Sequence, residues 1–303
     1  MPAQLPPLLH RALGLGRSQA TEGSSVSRAG RRVFAEPLAA KVPEITFLFW
    51  VIKILTTAGG EATSDYLSLG SRVVGGGVEA GLLVIGLVWQ FRTRRYVAAA
   101  YWFLAFAIAI FGTGASDTLH LFVGIPYAGT TLLWAVVLAL IFWRWHRSEG
   151  TLSIHSITTQ RRECYYWATV FATFALGTAL GDFTATALGM GYLASGISFG
   201  VIIAIPAVAW SWFRLNAVFA FWFAYVATRP LGASFADYVS KPHKLSGANF
   251  GDGPTAAIAA VAVAALVAYL AVARNDIQPP GTPDQEPAAD RARQAGAHRS
   301  AAP

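Results

Sequence analysis

The chain has 303 residues, 54% of them hydrophobic and only 13% charged, about half the charged fraction of an ordinary soluble domain. Its net charge of +7 is gathered in the two tails and in short clusters between apolar stretches of roughly 20 residues, long enough to cross a bilayer as helix. With no basic stripe interleaved with aromatics in a soluble segment, nucleic acid is excluded as a partner; with one cysteine, Cys164, so are an intrachain disulfide framework and a thiolate metal cluster.

Residues 1–43 are polar and Arg-rich, without the continuous apolar core of a secretory signal, and read as a disordered cytosolic tail. A membrane domain follows over residues 44–273. The Pro/Ala-rich segment 274–303 carries both signs of charge and reads as a second disordered cytosolic tail.

Within the membrane domain four segments align without gaps: FWVIKILTTAGGEATSDY, YWFLAFAIAIFGTGASDT, YWATVFATFALGTALGDF and FWFAYVATRPLGASFADY. Each begins with an aromatic residue followed by tryptophan: Trp50, Trp102, Trp167 and Trp222. Each has a glycine at the same later position: Gly60, Gly112, Gly177 and Gly232. Each then has an aspartate: Asp65, Asp117, Asp182 and Asp237. Half of the chain's eight aspartates fall in this register, so the segments are copies of one repeat. After each comes a second apolar span without the motif, near Val73–Gln90, Thr130–Trp145, Ile197–Phe213 and Thr255–Val272. The repeats therefore cover about 44–92, 97–147, 162–214 and 216–273.

The second spans end in aromatics beside arginine: Trp89, Phe91 and Arg92; Trp143, Arg144, Trp145 and Arg147; Trp210, Trp212 and Arg214; Tyr269 and Arg274. Such pairs mark a cytosolic membrane interface. The opposite loops are poor in arginine, although the last, SKPHKLSGANFGDGP, holds two lysines against the trend. The fold expected is all-α: a polytopic membrane protein of eight transmembrane helices in four parallel two-helix repeats, both termini in the cytoplasm. The repeats are then related about an axis along the membrane normal.

An aspartate inside a span is costly, and such residues face protein or water and mark pathways. From Trp to Asp the helix rises about 22 Å, which puts the four aspartates in the outer half of the bilayer; the bland alternative is a set of solvated helix ends. In the first repeat Lys53, Thr57, Glu61 and Asp65 recur every four residues and share a face. Glu79 is a further carboxylate that could pair with Lys53 or line the same cavity. In the fourth repeat Arg229 stands two turns before Asp237, next to Pro230, where a kink or local break is expected. Lys53 and Arg229 are read as charge partners of the acidic set. Hydroxyls at Thr56, Thr113, Ser116, Thr118, Thr173, Thr178, Thr228 and Ser234 either complete an oxygen-rich site or pack between helices. Small residues at Gly112, Gly114, Ala115 and Ser116 would admit a neighbouring helix. His120 is a candidate for a proton path or an interfacial residue, and Cys164 reads as a packing residue. His155, Arg161, Arg162 and Glu163 lie on the connection between the halves, as a structured linker, a gate or a topology anchor.

Six carboxylates, Glu61, Asp65, Glu79, Asp117, Asp182 and Asp237, against two basic residues favour cations or protons. Their oxygens suit hard ions, and like-charge crowding lets protons compete. No catalytic or nucleotide-binding motif is present, so neither an enzyme nor a cofactor is expected. The partners expected are the lipid bilayer and a small cation or proton.

The four-copy pattern, and the segments VPEITFLFWVIKILTTAGGEATSDYL, SIHSITTQRRECYYW, FALGTALGD and TRPLGASFADY, resemble a family of bacterial membrane-anchored proteins made of a tandem repeat of unknown function. The resemblance covers about residues 42–272. It implies an eight-helix bacterial inner-membrane protein and carries no substrate with it. From the residues alone, the leading expectation is a secondary transporter exchanging a small cation for protons. The alternatives are a proton-coupled carrier of a small organic solute, held by Lys53 and Arg229, and a non-transporting membrane scaffold.

Overall fold

A computed structural model describes residues 40–213 and 216–278. They form eight long helices with no β-strand among the described residues: α1 (Phe47–Ser68), α2 (Arg72–Arg92), α3 (Ala98–Leu121), α4 (Tyr127–Glu149), α5 (Gln160–Asp182), α6 (Tyr192–Phe213), α7 (Ala217–Ser240) and α8 (Asp252–Ala273). Local chemistry sets several boundaries. Thr46, Ser71, Thr159 and Asn216 accept backbone N–H bonds at the starts of α1, α2, α5 and α7, satisfying donors that a helix start leaves unpaired. Gly150, at φ 70°, ends α4 in the left-handed conformation that glycine adopts without strain. The motif-free helices begin a few residues before the apolar runs that reveal them, because caps and first turns are polar. Pro230 neither ends nor interrupts α7, which runs from Ala217 to Ser240.

The four motif helices pack as a closed ring, α1 on α3, α3 on α5, α5 on α7 and α7 on α1. The motif-free helices form a sheath around it. Each packs against the motif helix of the next repeat: α2 on α3, α4 on α5, α6 on α7, and α8 back on α1. Burial follows this division. In α3 and α5, 67% of the apolar window is buried, against 22%, 17% and 22% in α2, α4 and α8. Five helices, α2, α3, α4, α5 and α8, are long and apolar enough to cross a membrane; α6 carries a shorter apolar stretch, Tyr192–Pro206. α1 and α7 carry the interior charges Lys53, Glu61, Asp65, Arg229 and Asp237, and these face protein.

Two levels of contact run around the ring in the same order. At one end the first aromatic of each repeat meets the tryptophan of the next: Phe49–Trp102 at 5.5 Å between ring centroids, Tyr101–Trp167 at 5.2 Å, Tyr166–Trp222 at 6.1 Å, and Phe221 back to Trp50 at 5.9 Å. Trp102, Trp167 and Trp222 are buried in this collar. Further along, each repeat glycine abuts the residue three positions before the glycine of the next repeat: Gly60 on Ala109, Gly112 on Phe174, Gly177 on Arg229 and Gly232 on Thr57. A β-carbon at Gly60 would stand 2.9 Å from the Ala109 carbonyl carbon, and one at Gly112 2.8 Å from Phe174 Cβ. Gly60 and Gly112 are thus points where neighbouring backbones close in, as small residues permit between packed helices, while Gly177 and Gly232 make room chiefly for the Arg229 and Thr57 side chains.

The aromatics at the ends of the sheath helices divide. Trp89, Trp143 and Tyr269 are exposed, as an interface belt requires, whereas Phe91 and Trp145 are buried. The side chains of Trp210, Trp212 and Arg214 lie outside the described residues, as do tail residues 1–39 and 279–303. The tail assignment by composition extends too far inward. Lys41 and Val42 are buried, Glu44 N–H donates to the Asp276 carbonyl at 2.8 Å, and the Tyr96 hydroxyl donates to Asp276 Oδ2 at 2.5 Å. Lys41 is held by Glu163 (2.7 Å) and the Gln90 carbonyl (2.8 Å), partners that lie far away in sequence. Cys164 is exposed, not a packing residue, because the first turn of α5 turns it outward.

Candidate functional site

The interior of the ring holds a column of polar groups. Nearest the aromatic collar, the Tyr101 and Tyr166 hydroxyls hydrogen-bond to each other. Next comes Lys53, 1% exposed, with its ammonium 4.3 Å from the Phe174 ring centroid and 4.1 Å from that of Tyr225. It makes no hydrogen bond; two aromatic faces are its partners. Glu79, a possible partner for it by sequence, lies elsewhere. α2 sits outside the ring, and Glu79 Oε1 accepts from Ser64 at 2.6 Å while its carboxylate packs on Gly114.

Arg229 shares the Phe174 ring from the next level, with its guanidinium carbon 5.1 Å from the centroid. Fully buried, it donates to all three other motif helices. Nε reaches the Phe174 carbonyl at 3.3 Å, Nη1 the Thr57 carbonyl at 2.9 Å, and Nη2 Glu61 Oε2 at 2.7 Å, Thr178 Oγ1 at 2.8 Å and Thr113. Thr113 and Thr178 themselves donate to Glu61 Oε2 at 3.0 and 3.1 Å. Glu61, Thr113 and Thr178 each follow a repeat glycine directly, so the repeat register puts them at one level, where they meet. A bidentate-capable cation ringed by oxygens suits a buried pair.

Beyond this plug lie the repeat aspartates. Asp237 is buried, while Asp65, Asp117 and Asp182 are half-buried, so the set is neither sealed in the core nor a ring of free helix ends. They lie within electrostatic reach of one another: Asp117 of Asp182 and Asp65, and Asp237 of Asp65 and Asp182. A cleft of about 220 Å³ opens here, lined by Asp65, Arg72, Glu79, Asp117, Lys241 and Asp252 among others. Glu79 thus lines the acidic mouth with Asp65, apart from Lys53.

Lys241 closes this end. Its ammonium lies 2.6 Å from Asp65 Oδ2, 3.1 Å from Asp252 Oδ1 and 3.9 Å from Asp237 Oδ1. Burial works against its charge, but the Asp65, Asp237 and Asp252 carboxylates outweigh it and hold its pKa above the usual lysine value. The 241–251 loop folds back over the end of α7, with Asn249 N–H on the Lys241 carbonyl at 2.8 Å and Gly251 N–H on that of Ser240 at 3.0 Å. Lys241 and Asp252 are site residues that pattern reading misses. Lys241 registers there only as a charge on the wrong side, though its place four residues after Asp237 is the available signal.

Other candidates fall away from the column. His120 Nδ1 lies 2.8 Å from the Ile125 carbonyl and its ring stacks on Tyr127 at 3.8 Å. Thr173 and Thr228 bond within their own helices, and Ser234 pairs with Ser195 at 3.0 Å. Gly114 admits the Glu79 carboxylate, not a neighbouring backbone. The 148–163 connection is a structured linker: Glu149 receives Arg161 at 3.0 Å and Arg162 at 2.9 Å, while Glu163 receives Lys41.

Ring, sheath and charged interior define a protein that is all-helical over the described residues, with several helices long and apolar enough to cross a membrane, built by fourfold tandem repetition. The chain belongs to the family of the Repeat of Unknown Function (DUF347), which matches it four times, over residues 48–96, 100–151, 165–216 and 220–276. No curated protein and no solved structure matches it.

Proposed function

We propose that this is an eight-span protein of the bacterial cytoplasmic membrane that exchanges a small cation for protons through the α1–α3–α5–α7 ring. Two contact levels in one cyclic order, aromatic and glycine, support repeats that all cross in the same direction, and the arginines beside the ends of the sheath helices support cytoplasmic termini. The sheath's exposed apolar side chains, such as Val84, Leu132, Val201 and Val261, support lipid around it.

The observation that carries the transport reading is the graded column. An acidic mouth lined by Asp65, Asp117, Glu79 and Asp252, with Asp182 and Asp237 within electrostatic reach, lies over the Arg229–Glu61 plug, and an aromatic collar lies beyond Lys53. The mouth attracts and partly desolvates cations. The carboxylates that bind a cation also bind protons, so one site serves both by turns. Glu61 and Arg229 bar a continuous water path, as alternating access requires.

The test is reconstitution in vesicles with an internal pH dye and a screen of Na⁺, K⁺, Rb⁺, Cs⁺, Mg²⁺, Ca²⁺ and Mn²⁺. An ion-driven pH change lost in Asp117→Asn and Asp182→Asn is the expected result. A flat response to every ion would overturn the reading. The Lys53 ammonium, which has aromatic faces but no hydrogen-bond acceptor against it, favours a second reading, a carrier of a small organic anion, which solute uptake abolished by Lys53→Met would support. Arg229 counts against it, since its donors are already engaged.

A further inference from the structure

Resting on the reading of the acidic mouth as the way in for a cation, we propose that Glu61, Asp65 and Asp237 bind a hard divalent cation and that the Lys241 ammonium is its tethered competitor. One carboxylate oxygen from each of the three residues lies within 4.8 Å of the others. Oxygens coordinating Mg²⁺ or Ca²⁺ stand roughly 2.0–2.6 Å from the metal, so oxygens on opposite sides of one ion are about 4–5 Å apart. The three oxygens therefore already have the spacing of a coordination shell.

A second observation points to a ligand independently of that clustering. Asp237 is 5% exposed, yet its Oδ1 accepts no hydrogen bond. This oxygen faces the Lys241 ammonium at 3.9 Å, too far for a hydrogen bond. A buried acceptor left unmatched is costly, and a cation between Asp237 and Asp65 removes that cost.

Charge selects the class of ion. Glu61, Asp65, Asp237 and Asp252 are set against Arg229 and Lys241. Two negative charges remain among these contacting groups, and Glu79, Asp117 and Asp182 nearby add to the acidic excess, so a divalent cation is favoured over a monovalent one. If Lys241 withdraws, the site gains a third negative charge. All the facing donors are oxygen, with the Thr113 and Thr178 hydroxyls behind Glu61, and His120 is turned to Tyr127. That donor set suits Mg²⁺, Ca²⁺ or Mn²⁺ and not a thiophilic metal.

Lys241 holds the place in the meantime. It stands on the mouth loop just past α7, 19% exposed, so its side chain can leave through the cleft without moving a helix. While it sits on Asp65 and Asp252, those oxygens are engaged, and ion affinity falls by the fraction of time the site is free.

Mn²⁺ binding to the purified full chain in detergent, followed by the electron paramagnetic resonance signal of the free ion, tests this without a membrane gradient. Saturable binding of one Mn²⁺ per chain is expected, displaced by Mg²⁺ or Ca²⁺. Asp65→Asn and Asp237→Asn each weaken it by about tenfold or more, while Lys241→Gln tightens it by about tenfold. Absence of saturable binding in both wild type and Lys241→Gln overturns the site. Equal affinity in those two proteins overturns the competitor role. Because Lys241 lies outside the helix ring, its variant keeps the test decisive if an aspartate variant does not fold. Mn²⁺ binding without ion-driven proton movement strikes the carrier reading alone; proton movement without Mn²⁺ binding strikes this site alone.

Discussion

Neutralising Glu61 should be far more damaging than neutralising Glu79, although both carboxylates are 3% exposed. Glu61 Oε2 faces the fully buried Arg229 at 2.7 Å. At that separation the Coulomb attraction is about 6 kcal/mol for an effective dielectric near 20, and much of it offsets the desolvation of the two ions. Glu61→Gln keeps the shape and the acceptor oxygen but strands the guanidinium in the core, which costs about 3–5 kcal/mol. Glu79 has no ion-pair partner among the described residues, only the Ser64 hydroxyl, so Glu79→Gln removes an uncompensated charge and should cost less than about 1 kcal/mol. In the double variant Glu61→Gln, Arg229→Met the stranded cation is gone, and the loss should fall about 2 kcal/mol or more short of the sum of the single losses. Equilibrium unfolding in detergent, read by tryptophan fluorescence, measures all four. A Glu61→Gln loss below about 1 kcal/mol, or strict additivity in the double variant, would refute the buried pair as the organiser of the ring.

Three further outcomes follow from the same geometry. Gly60→Ala forces α1 from α3, at about 1–3 kcal/mol for overpacking, whereas Gly77→Ala meets nothing within 4 Å and should gain up to about 1 kcal/mol of helix propensity; equal melting of the two would refute the close approach. Lys53→Met should leave stability within about 1 kcal/mol, because loss of two aromatic contacts is offset by relief of a buried charge; a loss above about 3 kcal/mol in the same unfolding assay would mean an anionic partner. The pKa of Lys241 is raised on folding, so the stability it contributes is full below the unfolded lysine value of 10.5 and is lost as pH rises past it toward the folded value. Denaturant titrations above that pH should show a falling stability in wild type that Lys241→Met lacks, and identical slopes would refute the contribution.

Sequence reading recovers what repeats along the chain and loses what is decided across it. The register of Trp, Gly and Asp is local, and it identifies both the motif helices and the end of the bundle at which the aspartates lie. The recurrence of Lys53, Thr57, Glu61 and Asp65 every four residues marks one face correctly. Which cation Glu61 meets depends on the offset between α1 and α7, residues 168 positions apart, and no periodicity encodes that offset. Lys41 is polar by type and sits in a polar stretch, yet it is buried because Glu163 and Gln90 wait for it. Lys241 looks like a topology violation for the same reason: counting charges per loop ignores that a lysine can turn back onto the helix it follows and neutralise its aspartates.

The departures from repeat symmetry are as informative as the symmetry. At the position three before the repeat glycine stand Thr57, Ala109, Phe174 and Arg229; at the position after it stand Glu61, Thr113, Thr178 and Ala233. Four equal copies would line the ring with four equal side chains at each level. Small ones would leave a void and four like charges would repel. One arginine from the fourth copy and one glutamate from the first fill the ring with a neutral pair. Gly177 makes room for this arrangement, since a β-carbon there would overlap the Arg229 side chain. The aspartate level keeps its fourfold identity, so there the charge must be met from outside the motif helices, and Lys241 from the loop after α7 meets part of it. On the proposed exchange, cations would gather at the acidic mouth, left short of positive charge, and would pass the internally neutralised plug only when the Arg229–Glu61 pair rearranges.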